Sequence, residues 1–152
     1  MDIHIQIDGL KYIQRKLNIQ AEKLEDLKGY WDLVGKYMQK KTVQERFEKE
    51  QSPNGTKWAP LSSARIKQRL KRHKKGDMKI LSDTGQLRRI HYEAGKDYVQ
   101  IGTNVKYAKV HQFGYKKKNI PARPFLGVNE QELRYIRGLL TSYVKRHVLG
   151  GN

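Results

Sequence analysis

The chain has 152 residues, of which 32 are lysine or arginine and 15 are aspartate or glutamate, so its formal net charge is +17. This charge exceeds the magnitude of about 2–8 that suits a small domain, and it indicates a partner of opposite sign or a larger assembly. The absence of cysteine excludes disulfides, thiolate nucleophiles and cysteine-ligated zinc. Because the sequence has neither a membrane-length apolar run nor a signal-peptide pattern, we expect no membrane partner and assembly in a cytoplasm.

The first third of the chain predicts a short strand followed by a long helix. Isoleucines at positions 3, 5 and 7 alternate with polar residues, which is the pattern of a strand with one buried face. Over residues 10–47 the apolar residues recur at helical spacing, so we expect one long helical stretch whose apolar stripe packs into the core. A turn follows, because Pro53 and the pair Asn54-Gly55 favour a reversal of the chain.

The middle of the chain predicts a basic helix and a hairpin. Ser62 or Ser63 caps a short helix that ends at about Arg72 and has only two apolar residues of its own. Two β-rich runs, at 87–93 and 97–102, are joined by a short loop that contains glycine, which predicts a β-hairpin.

The last third predicts a short helical turn, an irregular arm and a terminal helix. Residues 107–113 fit one helical turn, whereas the two prolines within 120–126 exclude a central strand or helix. Asn129 caps a final helix over about 130–148. The whole order predicts a single α+β domain over residues 1–152, in which a small antiparallel sheet packs against a long N-terminal helix and a C-terminal helix.

No catalytic or metal-binding pattern accompanies these elements. The histidines have no zinc-binding spacing, and the sequence has neither a phosphate-binding glycine loop nor a nucleophile elbow. Asp77 and Asp83 could hold Mg²⁺ in a small nuclease, but loop aspartates of this kind usually form turns and caps. His111 is the best candidate for a general base, although no carboxylate or nucleophile lies beside it in sequence, which favours a packed histidine. We therefore expect no enzyme, no metal and no cofactor.

Basic residues are concentrated between positions 61 and 96, where eleven lysines and arginines stand against three acidic residues. A basic segment at 62–79 is followed by a second cluster in a proline-containing arm at 115–127. Such clusters neutralise phosphates without reading the base sequence, or they face an acidic protein. The predicted contacts with DNA or an acidic partner are Arg65, Lys67, Arg69, Lys71, Arg72, Lys74, Lys75, Lys79, Lys116, Lys117 and Lys118.

Four segments, taken in order, resemble a known family. They read Ser-Pro-Asn-Gly-Thr-Lys-Trp-Ala-Pro-Leu at 52–61, Ile-Leu-Ser-Asp-Thr-Gly-Gln-Leu at 80–87, Ile-Gly-Thr-Asn-Val-Lys-Tyr-Ala at 101–108 with His-Gln-Phe-Gly at 111–114, and Ile-Pro-Ala-Arg-Pro-Phe-Leu-Gly at 120–127. Together these motif segments resemble the phage virion morphogenesis family, the tail completion proteins of Mu-like and related contractile-tailed bacteriophages. The resemblance extends over roughly residues 40–148.

The resemblance implies a non-enzymatic structural protein at the tail end or neck of the virion. It implies a homo-oligomeric ring, with a hexamer favoured, that caps the tail tube or meets the tail terminator and joins the head–tail connector, with genomic DNA in the channel. Arg123 is expected to pair with a neighbouring subunit, whereas packing within the chain is favoured for Trp58, Tyr107 and Phe113. The candidates for subunit interface or family motif are Trp58, Leu81, Gly85, Tyr107, His111, Phe113, Arg123 and Phe125.

A free DNA-binding protein is the alternative to a ring subunit. In that case the basic segment at 62–79 is itself the functional element, and it binds DNA without sequence preference. This alternative predicts tight DNA binding by the isolated chain that weakens steeply as salt is added.

Overall fold

The computed structural model describes residues 1–6, 15, 24–72 and 78–150. The predicted α+β fold is confirmed, with a small antiparallel sheet packed against helices. The strands are β1 (Asp2–Ile5), β2 (His91–Ala94) and β3 (Val99–Gly102). The helices are α1 (Lys28–Lys41), α2 (Ser63–Arg72), α3 (Ala108–Phe113) and α4 (Glu130–His147), with short 3₁₀ turns at Gln86–Arg88 and Lys116–Lys118.

The sheet has the order β1-β3-β2, so the hairpin supplies its central strand. Ile3 lies opposite Ile101 in the antiparallel pairing of β1 with β3, which confirms the predicted N-terminal strand up to Ile5. The predicted hairpin is also confirmed, but its first strand begins only at His91. The preceding residues turn instead of extending, because Gly85 adopts a left-handed conformation with φ +70° and starts the 3₁₀ turn that follows it.

The predicted N-terminal helical stretch is interrupted. Residues 25–27 are not helical, and α1 begins at Lys28; the parts of the predicted helix at 10–14 and 16–23, and the predicted strand residue Ile7, lie outside the described residues. Two contacts set this start. The backbone N–H of Leu27 donates to the Lys96 carbonyl in the hairpin loop at 3.0 Å, and the Asp26 carboxylate accepts from the Lys28 N–H at 3.0 Å. One continuous helix over 10–47 is therefore wrong, because the hairpin loop binds the backbone just before α1.

The core lies between α1, the sheet and α4. Tyr30, Val34 and Met38 on one face of α1 are completely buried, and Ile136 and Val144 of α4 pack into the same cluster. The Tyr30 hydroxyl donates to the Ile136 carbonyl at 3.0 Å, and burial raises the pKa of this tyrosine. This single apolar cluster joins the two longest helices to the sheet.

Three aromatic residues extend the core towards the motif segments. After Lys41 the chain continues in π-helical turns to Phe47, where the predicted helical stretch ends. The Phe47 ring lies 5.6 Å from the Trp58 ring and 5.4 Å from the Phe125 ring, measured between centroids. Trp58 also donates its indole N–H to the Pro124 carbonyl at 2.8 Å. This cluster anchors both the turn after α1 and the proline-containing arm.

The start of α4 matches its prediction. The Asn129 side chain accepts from the Glu132 N–H at 2.8 Å, and the Glu132 carboxylate accepts from the Asn129 N–H at 3.0 Å, so the two residues form a capping box. The predicted helical turn at 107–113 and the irregular arm at 120–126 are confirmed as well. Within the described part of the chain, no helix has the length and apolar character needed to cross a bilayer.

Gly35→Ala is expected to lower the free energy of unfolding by about 1–3 kcal/mol, the usual cost of overpacking. A Cβ at this buried position of α1 would lie 2.2 Å from Cδ2 of Tyr92. The Tyr92 ring cannot easily move away, because its hydroxyl donates to Asp32 at 2.9 Å. Urea denaturation measures the change.

Gly138→Ala in α4 is the matched control for that substitution. A Cβ at Gly138 would meet no atom within 4 Å, so alanine should raise the free energy of unfolding by about 0.5–1 kcal/mol through its higher helix propensity. If the Gly35 variant were as stable as the Gly138 variant, close packing of α1 on β2 would be refuted.

Candidate functional site

A groove of about 840 Å³ opens between helix α2, the chain around the first 3₁₀ turn and the segment that leads into the proline-containing arm. We call it the basic groove. All four motif segments contribute to its lining, although they are far apart in sequence. The residues that they supply are Pro60 and Leu61, then Leu81, Asp83, Thr84 and Leu87, then Tyr107 and His111, and finally Ile120, Pro121 and Arg123.

One carboxylate holds the arginines of α2. Oδ2 of Asp83 lies 2.9 Å from a terminal nitrogen of Arg65 and 2.9 Å from one of Arg72, and Oδ1 lies 3.7 Å from Nε of Arg69. Arg69 is only 2 % exposed, and it also donates to the Lys79 carbonyl at 2.7 Å. The helix therefore docks on the body of the protein through charged side chains.

The apolar residues of α2 point away from this contact. Ile66 and Leu70 are 38 % and 51 % exposed, and the neighbouring Lys67 and Lys71 are exposed too. The predicted start of the helix is confirmed, because the Ser62 hydroxyl accepts from the Arg65 N–H at 3.2 Å. The ion-paired face and the exposed face of α2 are thus chemically distinct.

The eleven cations predicted to contact DNA or an acidic partner divide into three groups. Arg65, Arg69 and Arg72 gather on Asp83, and Lys79 pairs with Glu48. A second group is exposed on the surface, and a third lies outside the described residues. The exposed lysines are Lys67, Lys71, Lys116, Lys117 and Lys118, and the undescribed ones are Lys74 and Lys75.

Arg123 is bound within its own chain. It is 6 % exposed, and its guanidinium donates to the carbonyls of Ala59 and Pro60, each at 2.8 Å. Its backbone N–H donates to the His111 carbonyl at 2.7 Å. The expectation that Arg123 pairs with a neighbouring subunit is therefore corrected, since the guanidinium ties the arm to the segment after Trp58.

The remaining motif residues divide between core and surface. Trp58, Leu81 and Phe125 are buried, which confirms the expected packing of Trp58 within the chain. Phe113 is 72 % exposed and Tyr107 is 41 % exposed, so the same expectation is wrong for Phe113 and only partly met by Tyr107. Phe113 ends the short helix α3 on its outer side, where the described chain offers no apolar surface to cover it.

Gln112 is the residue that the sequence reasoning missed. This glutamine in α3 is buried, and its side-chain carbonyl accepts from the N–H groups of Phe125 at 3.0 Å and Leu126 at 3.1 Å. Its amide nitrogen donates to the Leu126 carbonyl at 2.7 Å. A glutamine between two apolar or aromatic neighbours in a predicted helical turn is the only sequence signal that could have pointed to this bridge.

His111 lines the basic groove without the partners of a general base. Its Nδ1 is buried and has no hydrogen-bond partner among the described residues, and its ring makes an edge contact with Tyr107 at 5.8 Å between centroids. Burial, together with Arg123 and Arg65, lowers the pKa of His111 and keeps the imidazole neutral. No group of three or more potential metal ligands occurs in the described chain, and the Asp83 carboxylate is engaged by arginines.

His111→Gln is expected to flatten the pH dependence of stability on the acid side of neutrality. Because the pKa of His111 is held below its usual 6.5, the unfolded chain binds more protons than the folded chain as the pH falls below that value. The stability that this group contributes is therefore present above pH 6.5 and is lost as the pH falls towards the lowered pKa. Urea midpoints on either side of this window measure the slope, with the exposed His91→Gln as control; equal slopes in the wild type and the His111 variant would contradict the prediction.

Comparisons with known proteins agree with the resemblance of the motif segments. A model described as the phage virion morphogenesis family matches residues 8–145. Tail completion protein S of Escherichia phage P2 is 25 % identical over 119 residues, which cover 70 % of this chain and 77 % of that protein. Mu-like prophage FluMu G protein 1 of Haemophilus influenzae is 32 % identical over 95 residues, or 62 % of this chain and 64 % of that protein.

An uncharacterized protein of Methanocaldococcus jannaschii is 38 % identical over 89 residues, which cover 55 % of this chain and 62 % of that protein. No solved structure shows significant similarity to the chain. Because the family model spans most of the sequence and two of the relatives carry phage or prophage names, the chain belongs to the phage virion morphogenesis family of phage structural proteins.

Proposed function

We propose that the chain completes a phage tail as the subunit of a ring, with a hexamer favoured, that caps the tail tube and joins it to the head–tail connector. The observation that carries this proposal is the basic groove, where all four motif segments of the family meet on one surface. A surface built from such residues, with its carboxylate engaged by arginines, suits the binding of another protein rather than a chemical step. The proposed role is accordingly non-enzymatic.

Exposed aromatic residues beside the groove support an assembly role. Phe113, Tyr107 and Tyr115 are all exposed, and Tyr115 is followed directly by three exposed lysines. Aromatic residues are enriched at the centres of protein interfaces, where they contribute much of the binding energy. A closed ring would also bring the +17 chain into contact with acidic neighbours or with DNA in its channel, which would offset its self-repulsion.

Deletion of the gene from the phage or prophage that encodes the chain tests this function. We expect lysates with DNA-filled heads and separate tails, a loss of infectivity, and recovery of joined particles when the chain is supplied from a plasmid. Electron microscopy of purified tails should show density at the head-proximal end only when the chain is present. Infectious, normally joined particles from the deletion strain would refute the proposal.

Non-specific DNA binding is the second candidate function, and the exposed face of α2 favours it. Lys67 and Lys71 lie on that face, turned away from the Asp83 cluster. If this face binds DNA, Lys67→Glu with Lys71→Glu should weaken retention of a DNA duplex and reduce its salt dependence. If the double variant retains DNA normally, this face does not bind DNA.

A further inference from the structure

We propose that the basic groove is the docking site for an extended acidic segment of a partner protein, whose carboxylates bind the cations of the groove and whose apolar side chains cover its floor. This inference rests on the proposed function, because it specifies the chemistry of the partner that a tail-completion subunit binds there. It assigns to the groove a role in recognition that the separate motif segments do not reveal.

Charge is the first reason to place an acidic segment in the groove. Five cationic side chains line the described part of the groove, against the single carboxylate of Asp83. Two of these cations, Arg65 and Arg72, share one oxygen of that carboxylate while their side chains remain 40 % and 45 % exposed. A carboxylate entering from solvent can therefore reach both guanidinium groups, and charge-assisted bonds of this kind are the stronger class of hydrogen bond.

Lys118 extends this cationic rim to the other side of the groove. It lies in the second 3₁₀ turn, is exposed, and lines the groove next to Ile120 and Pro121. In an extended chain, successive side chains point to opposite faces, and every second residue, about 6.6–7 Å further on, points to the same face. A segment in which acidic and apolar residues alternate therefore turns its apolar side chains to one face, towards the floor of the groove, and its carboxylates to the other, where they can reach the exposed cations of the rim.

The apolar floor distinguishes a peptide from duplex DNA. Leucines and prolines line the groove together with the cations, and they include Leu61, Leu81, Leu87 and Pro121. Duplex DNA presents charged phosphates along a broad convex surface, and it has no side chain that would enter a groove and cover leucines. The exposed lysines of α2 suit such a surface better than the recessed Arg69 and Arg123 do.

His111 adds an imidazole ring to the lining of the same groove. Its buried Nδ1 has no hydrogen-bond partner among the described residues, although the residue lines the groove. That nitrogen is closed to solvent, so His111 offers a docked segment its ring surface rather than Nδ1. Together with the arginines and the leucines, the groove thus presents aromatic, cationic and apolar surface.

Fluorescence anisotropy with the full chain tests the inference. The probe is a fluorescein-labelled peptide of the sequence Gly-Glu-Leu-Glu-Leu-Glu-Gly, and its counterparts replace every Glu by Lys or every Leu by Gly. We expect the Glu-Leu peptide to bind, the Glu-Gly peptide to bind about tenfold more weakly because it leaves the floor uncovered, and the Lys-Leu peptide not to bind. Equal binding of the Lys-Leu peptide, or no binding of the Glu-Leu peptide, would overturn the inference.

Charge reversal locates the bound peptide. Arg65→Glu with Arg72→Glu should weaken the Glu-Leu peptide by about tenfold or more. The matched control is Lys67→Glu with Lys71→Glu, which changes the net charge of the same helix equally but outside the groove; it should change affinity by about twofold or less. Equal losses in the two double variants would show attraction to overall charge and overturn the inference.

Arg65 and Arg72 also hold Asp83, so replacing them can disturb the fold as well as the groove. A second pair of variants therefore tests peptide binding without changing these arginines. Lys118→Glu should weaken the peptide, whereas Lys117→Glu, in the same exposed turn but outside the groove lining, should not. A DNA duplex that displaces the peptide from the wild type, and whose own binding is lost in the groove variants, would assign the site to nucleic acid and overturn the proposal.

The deletion strain separates a failure of this inference from a failure of the proposed function. If the strain still makes joined particles while the peptide binds as expected, the proposed function fails and the groove assignment stands. If the deletion blocks joining and the groove variants bind the peptide normally, only the groove assignment fails.

Discussion

Glu132→Ala is expected to lower the free energy of unfolding by about 3–5 kcal/mol, because it leaves a buried arginine without its counter-charge. A terminal nitrogen of Arg46 lies 2.7 Å from the carboxylate of Glu132, and the two side chains are 2 % and 5 % exposed. The same carboxylate accepts from the Asn129 N–H, so the substitution also removes half of the capping box of α4. A loss of this size is a large part of the roughly 5–15 kcal/mol that stabilises a typical domain.

Two comparisons separate the buried charge from the helix cap in this prediction. Glu130→Ala changes an exposed acidic residue in the same first turn of α4, and it should cost less than about 1 kcal/mol. The double change Arg46→Met with Glu132→Met removes both charges, so it should be clearly more stable than Glu132→Ala alone. Urea denaturation with a circular dichroism signal measures all three; a loss of less than about 1 kcal/mol for Glu132→Ala would refute an uncompensated charge.

Local signals explain the parts of the fold that the sequence predicts well. The hairpin, the short helix α3 and the start of α4 each depend on residues within a few positions of one another. Asn129 and Glu132, for example, satisfy each other's backbone N–H groups across three residues. A capping box can therefore be recognised from the sequence without any knowledge of the tertiary structure. The same holds for Ser62 at the start of α2.

Contacts between distant segments explain the errors. The start of α1 is set by the Lys96 carbonyl, which pairing of the hairpin brings next to Leu27. The cations of helix α2 were predicted to contact DNA or an acidic partner, but a carboxylate eleven residues beyond Arg72 binds its arginines within the chain. Neither contact has a periodic signature, because an ion pair or a single backbone bond imposes no repeat on the sequence.

The candidate site was predictable in its parts and not as a whole. The motif segments and the basic residues can both be read from the sequence, but their meeting in one groove follows from the way the arm folds back. Arg123 shows the difference: its motif suggests a contact with a neighbour, whereas its guanidinium binds the carbonyls of Ala59 and Pro60 and so shapes the groove wall. The direction of a long side chain depends on tertiary packing, which local sequence does not specify.

Gln112→Met is expected to lower the free energy of unfolding by about 2–4 kcal/mol, because it removes three hydrogen bonds and leaves buried backbone groups unsatisfied. The affected groups are the N–H of Phe125 and both the N–H and the carbonyl of Leu126. Methionine keeps the length and approximate volume of glutamine, so the loss reports hydrogen bonding more than packing. For a chain of this size the loss corresponds to a fall in melting temperature of several degrees.

Hydrogen exchange gives this substitution a local readout in addition to its global one. The amide protons of Phe125 and Leu126 should exchange faster in the Gln112 variant, whereas that of Met38, in the buried face of α1, should change only by the amount that the global stability predicts. Gln131→Met, at an exposed position of α4, is the matched control and should stay within about 0.5 kcal/mol of the wild type. Retained protection at Phe125 and Leu126 in the Gln112 variant would show that another group holds the arm against α3. The path of the arm, and with it one wall of the basic groove, would then not depend on this glutamine.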